Sequence, residues 1–141
     1  MTVKKIENQD ELLAIIIKSD YNTPGITFFT PEHLPQQLAF MSHRAGKKIV
    51  PHIHNAVHRD IFDTAEVLII KKGKMQIDFY SYDEIFIQSE MLGVGDIVLL
   101  YKGGHGFTII EDVEMFEVKQ GPYLGELDKR RFAPIKEGAF E

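Results

Sequence analysis

Between Ile26 and Lys119 the chain runs through nine short stretches rich in Ile, Val, Phe and Tyr, each ended by turn chemistry, and this pattern constrains the fold most tightly. The stretches are Ile26–Thr30, Leu38–Ala45, Lys48–His54, Val67–Lys72, Met75–Tyr80, Ile85–Met91, Ile97–Tyr101, Phe107–Ile110 and Met115–Lys119. Their separators include Ala45-Gly46, Lys72-Gly73-Lys74, Gly93-Val94-Gly95 and Gly103-Gly104-His105-Gly106. Most connections are as short as hairpins require. The expected fold is therefore all-β and mainly antiparallel, a barrel or a two-sheet sandwich; periodicity alone does not separate an immunoglobulin-like plan from a jelly roll.

Ahead of the strands, Asn8 stands as an N-cap with Asp10 and Glu11 in a first turn, and Leu12, Ile15 and Ile16 recur at helical spacing. This predicts a short helix over 9–18, ended by Pro24 and Gly25. The expected organisation is one domain over 1–141: the N-terminal helix, a barrel over 26–123, and a tail over 124–141. The tail carries the basic run Asp128-Lys-Arg-Arg-Phe132 and is expected on the surface or across a subunit interface. A hydrophobic share of 44% with ten Phe supplies one core, and 16 basic against 21 acidic residues give a formal charge of −5. Such a chain has no global attraction for nucleic acid or an anionic membrane. Its longest apolar run, Leu12–Ile17, is far short of the about 20 residues of a membrane span. The N-terminal residues lack the apolar centre of a secretory signal, and without cysteine there is neither disulfide nor thiolate ligand. A cytoplasmic location is expected.

Chemistry concentrates at histidine. In a strand over 48–54, His52 and His54 project to one side, with Lys48 and Val50, while Ile49, Pro51 and Ile53 form an apolar opposite face. Two buried imidazoles need a partner. Glu66 opens the next strand and, if the two strands pair, meets them; His105 adds a fourth donor from its glycine turn. His52, His54, Glu66 and His105 together, three imidazoles and a carboxylate, suit one divalent transition metal, Zn, Fe, Mn, Ni or Co, with open positions for chemistry. The connection from Asn55 to Ala65 is long for a hairpin and carries His58, which replaces Glu66 as ligand or moves a proton in one reading and is an ordinary surface histidine in the other. Tyr101, at the rim, is the other candidate catalytic residue. Glu117 and Lys119 share a strand face and either pair with each other or line the barrel mouth.

Gly46-x5-His52-x-His54 followed by Glu66-x6-Gly73 resembles the first cupin motif, with a longer spacing between the second histidine and the glutamate. Gly95-x5-Tyr101-x-Gly103-Gly104-His105 resembles the second, with Tyr101 at its proline and Ile109 at its asparagine. Within the cupins, Pro51-His-Ile-His54, His58, Glu66 and the closing run Met115–Tyr123 are most similar to the WbuC-like cupins of bacterial surface-polysaccharide loci. The resemblance covers about residues 38–123. It implies a double-stranded β-helix, a jelly-roll barrel with a His/Glu metal site, and it leaves the reaction open.

The first function expected is a metal-dependent isomerase or epimerase acting on a small polar molecule, a sugar or sugar nucleotide of polysaccharide biosynthesis. Three others stand beside it: a metal-free sugar-nucleotide ketoisomerase using the histidine pair as acid and base, a non-catalytic binding module, and an Fe(II) dioxygenase. The apolar face Ile49, Pro51 and Ile53 needs a cover, and a homodimer is expected.

Overall fold

The computed structural model describes residues 2–134. Gln9 and Asp10 both take positive φ, 50° and 63°, the backbone of a two-residue type I′ turn. The chain reverses there. Strand β1 (Val3–Asn8) pairs antiparallel with β2 (Glu11–Ile17), from Val3 opposite Ile17 to Asn8 opposite Glu11. A hairpin thus stands where the helix over 9–18 was expected, and the reason is burial on two sides. Leu13 to Ile17 are all buried, with Ala14 and Ile16 in one apolar cluster and Ile15 and Ile17 in another. A strand covered on both faces is apolar without alternation, which periodicity does not distinguish from a helix. Three consecutive isoleucines, stiff at χ1, favour the strand.

Strands β3 (Gly25–Phe28) and β4 (Ala39–Ser42) form a separate ribbon. Near it, the Tyr21 ring meets Phe29 and Phe40 edge-on at 5.0 and 5.1 Å. Tyr21, Phe29 and Leu38 pack against the cluster of Ile15, Ile17, Leu34, Ala65 and Leu99. The strand expected over Lys48–His54 is absent: residues 43–62 are exposed without a break and carry no strand or helix. Its alternating imidazoles and aliphatics suit a strand, but no neighbouring strand supplies the hydrogen bonds one needs.

The remaining strands are β5 (Glu66–Tyr80), β6 (Phe86–Gly93), β7 (Ile97–Leu100) and β8 (Gly104–Lys119). Each of β5 and β8 unites two of the expected short runs. At Lys72-Gly73-Lys74 the chain does not turn back; Gly73, at φ 85°, sits where the β5–β8 register shifts, and the strand continues as a bulge. Along one edge of β5, β6 pairs with its second half and β7 with its first. Along the other edge β8 runs the full length, from Tyr80 opposite Gly104 to Glu66 opposite Lys119. Strands β2 and β1 extend the sheet beyond β7.

This pairing forces the sheet to curl. Leu100 lies opposite Glu66, at the start of β5, and Gly104 lies opposite Tyr80, at its end. A straight β5 would hold those ends about 46 Å apart, whereas the link from Leu100 to Gly104 reaches only about 14 Å. The result is a strongly curled antiparallel half-barrel, mostly β and compatible with a jelly roll. Gly103 makes the tight link possible: its φ is 74°, and a Cβ there would lie 2.4 Å from the Tyr80 carbonyl oxygen. The concave side is filled by Leu68, Ile70, Met75, Ile77 and Phe79 of β5 with Val98, Leu100, Ile6, Leu13 and Ile16.

Asp96 fastens the β6–β7 joint to the first hairpin. Its buried carboxylate accepts hydrogen bonds from Lys18 Nζ at 2.7 Å, Ser19 N at 2.8 Å and Gly93 N at 2.7 Å. Among the described residues no helix is long and apolar enough to cross a membrane.

Candidate functional site

Glu66 and His105 stand thirteen ladder positions apart, since His105 lies opposite Phe79. In a flat sheet that separation is about 43 Å. The curl brings Glu66 Oε1 to 3.6 Å from His105 Nε2, with side-chain exposures of 18% and 28%. Residues directly opposite in an antiparallel ladder share a face, so Lys119 (opposite Glu66), Glu117 (opposite Leu68), His105 (opposite Phe79) and Phe107 (opposite Ile77) all turn to the concave side. The reading of Glu117 and Lys119 as residues of the barrel mouth corresponds to this placement.

The electrostatics follow from partial burial next to a second carboxylate. Glu66 is raised from its ordinary 4.5 to about 7, first by burial and then by its hydrogen bond to Glu117 and the charge of that residue, against the pull of Lys119 and Lys129. Glu117 moves the other way, chiefly because it accepts that hydrogen bond. The pair therefore holds one proton near neutrality, with Glu66 as donor and Glu117 as carboxylate. Burial lowers His105, partly opposed by Glu117, so its imidazole is neutral at pH 7. A neutral imidazole beside a carboxyl that gains and loses its proton near pH 7 is the equipment of acid–base catalysis.

These groups open into a cleft of about 730 Å³, whose walls include Thr64, Ser81, Tyr82 and Phe107 and whose far side is the tail. Phe132 packs edge-on against Tyr80 at 4.9 Å, over Gly104, where a Cβ would lie 2.8 Å from the ring. Lys129, Arg130 and Arg131 thereby join Lys119 around the opening. Arg130 donates to the Tyr82 carbonyl at 3.0 Å and lies over its ring, and Arg131 pairs with Glu126. The expectation that this run lies on the surface holds for its exposure, but the part as cavity wall was missed; the one signal for it is an aromatic, Phe132, ending a basic run.

Of the residues singled out from the sequence, Glu66 and His105 come together. His52 and His54 lie on the exposed segment 43–62, their rings 5.2 Å apart, with His52 Nδ1 2.9 Å from the Val50 carbonyl. His58 is on the same segment and bonds Asp60 at 2.9 Å. Tyr101 packs against the cluster of Ile15, Ile17 and Leu99, with the Lys102 ammonium 5.3 Å from its ring centre. Among the described residues no three His, Asp or Glu side chains stand together in a group able to hold a metal ion. The set His52, His54, Glu66 and His105 is therefore not assembled within one copy.

Comparison of the chain with protein-family models, with curated proteins and with solved structures finds no match.

Proposed function

We propose that this chain is a cupin-type isomerase or epimerase acting on a phosphorylated sugar, such as a sugar nucleotide, with Glu66 and His105 as the proton-transferring pair. The observation that carries this reading is the position of a neutral imidazole and a carboxyl raised to about 7 in one cleft rimmed by Lys119, Lys129, Arg130 and Arg131. In a chain of net charge −5, four cations around one opening select for an anion, and guanidinium groups suit phosphate oxygens. The volume suits a small-molecule ligand.

The chemistry needs one base and one acid on a carbon beside a carbonyl. Glu66, as carboxylate, takes the proton from that carbon; the C–H electron pair becomes the double bond of an enediol as the His105 N–H protonates the carbonyl oxygen. Return of the proton to the other face of the same carbon inverts it, and return to the neighbouring carbon moves the carbonyl. Incubation of the protein with a panel of nucleotide-linked ketosugars in D2O, followed by NMR, is expected to show deuterium at the carbon beside the carbonyl. Glu66→Gln should slow that exchange by about 100-fold or more. Absence of exchange from every ketosugar of the panel would overturn the reading.

A further inference from the structure

Two features of the chain lack partners and match each other. The first is the free edge of β8, sixteen residues long, which pairs with β5 alone among the described strands. It exposes Ile109, Ile110, Phe116 and Val118, each about half-exposed. A long apolar edge of this kind is a template for another strand. The second is the segment 43–62, with Ile49, Val50 and Ile53 in solvent at 59, 79 and 89% exposure.

Their charges are complementary. Arg44, Lys47 and Lys48 lie in the segment, and Glu111, Asp112, Glu114 and Glu117 lie along β8. An antiparallel register that sets His54 opposite His105 also sets His52 opposite Phe107, Lys48 opposite Glu111, Lys47 opposite Asp112 and Ile49 opposite Ile110. Opposite residues share a face, so in this register both imidazoles turn to the concave side with His105. Pro51, which has no N–H to donate, is tolerated because the added strand is itself an outer edge.

We propose that this chain exchanges arms with a second copy, residues 44–54 of each protomer adding antiparallel to the β8 edge of the other and delivering His52 and His54 to its Glu66 and His105. The occupant is a second copy because the segment stands in solvent along its whole length, clear of its own β8, and because a reciprocal exchange closes on itself as a two-fold dimer. The inference rests on the cleft reading above for what the arm completes, a set of three imidazoles and one carboxylate of the kind that holds a divalent transition metal.

The chain has no cysteine, so engineered thiols are unambiguous. Lys48→Cys combined with Glu111→Cys places two thiols on exposed residues that face each other in the register, within reach of a disulfide. Oxidation of this double variant is expected to give mainly a covalent dimer on a non-reducing gel, and neither single variant should do so. A monomer holding an internal disulfide would show that the arm closes on its own β8, and free thiols would show that it docks on neither; both overturn the exchange. As a second readout, the double variant His52→Ala, His54→Ala is mixed with His105→Ala and titrated with Co²⁺. In exchanged dimers the mixture regains tight binding that each variant lacks, and no regain in the mixture contradicts the exchange. The cross-link reads the contact itself, so a covalent dimer without deuterium exchange into any ketosugar leaves the arm exchange standing and removes the catalytic reading.

Discussion

Asp96→Ala is expected to lower folding stability by about 3–5 kcal/mol, the loss that follows when one partner of a buried charged network is removed. The carboxylate is 3% exposed and satisfies three donors from two parts of the chain: Lys18 Nζ, Ser19 N and Gly93 N. Truncation leaves two backbone N–H groups without their acceptor and an ammonium without its counter-charge. The exposed end of the same hairpin provides the control. Lys4 bridges Glu90 at 2.6 Å with its own side chain half in solvent, and Lys4→Ala should cost under about 1 kcal/mol. Urea unfolding of the two variants at pH 7 checks both values, and equal losses would show that Asp96 does not fasten the β6–β7 joint to β2.

Gly73→Ala is expected to cost about 3 kcal/mol and to loosen the closure that joins Glu66 to His105. Gly73 sits at φ 85°, and a Cβ there would lie 2.0 Å from the Asp112 carbonyl oxygen, so a side chain meets both a left-handed backbone and the main chain of β8. Gly46 separates the two causes. Its φ is 90°, but nothing lies within 4 Å of its Cβ position, so Gly46→Ala should cost only about 1–2 kcal/mol. If the two substitutions prove equal in denaturant unfolding, the close approach of β8 at the bulge is not what makes Gly73 necessary.

The strand content was legible because β-branched and aromatic runs between glycines leave few alternatives. The exceptions have physical causes. Leu13 to Ile17 are covered on both faces, so the alternation that would have marked a strand is missing. Gly73 reads as a hairpin turn because a positive-φ glycine serves a turn and a bulge equally well; only the partner strand distinguishes them. The pairing of Glu66 with His105 was legible as chemistry, since a carboxylate and an imidazole each begin a strand, but the curl that unites them is a consequence of strand pairing and a three-residue link. Segment 43–62 reads as a strand from its alternation, and its exposure in a single copy reflects the absence of a neighbour at that edge. The tail's part in the cleft depends on Phe132 finding Tyr80 across Gly104, a contact that no local pattern signals.

Glu66 is the group on which the proposed chemistry turns, and its proton also couples to folding. Its pKa is raised in the folded chain, so its contribution to stability is fully present below its ordinary 4.5 and is lost as pH rises through about 7. Glu117 opposes this weakly because it is exposed. Metal-free Glu66→Gln should accordingly gain stability relative to the unmodified chain between pH 5 and pH 8. The most direct test is a carboxyl-detected NMR titration of the protein in the presence of a chelator, with Glu66→Gln used for assignment. A Glu66 midpoint near 7 is the predicted result; a midpoint at the ordinary 4.5 would contradict the site, placing Glu66 in water rather than in a half-buried pair with Glu117 beside His105.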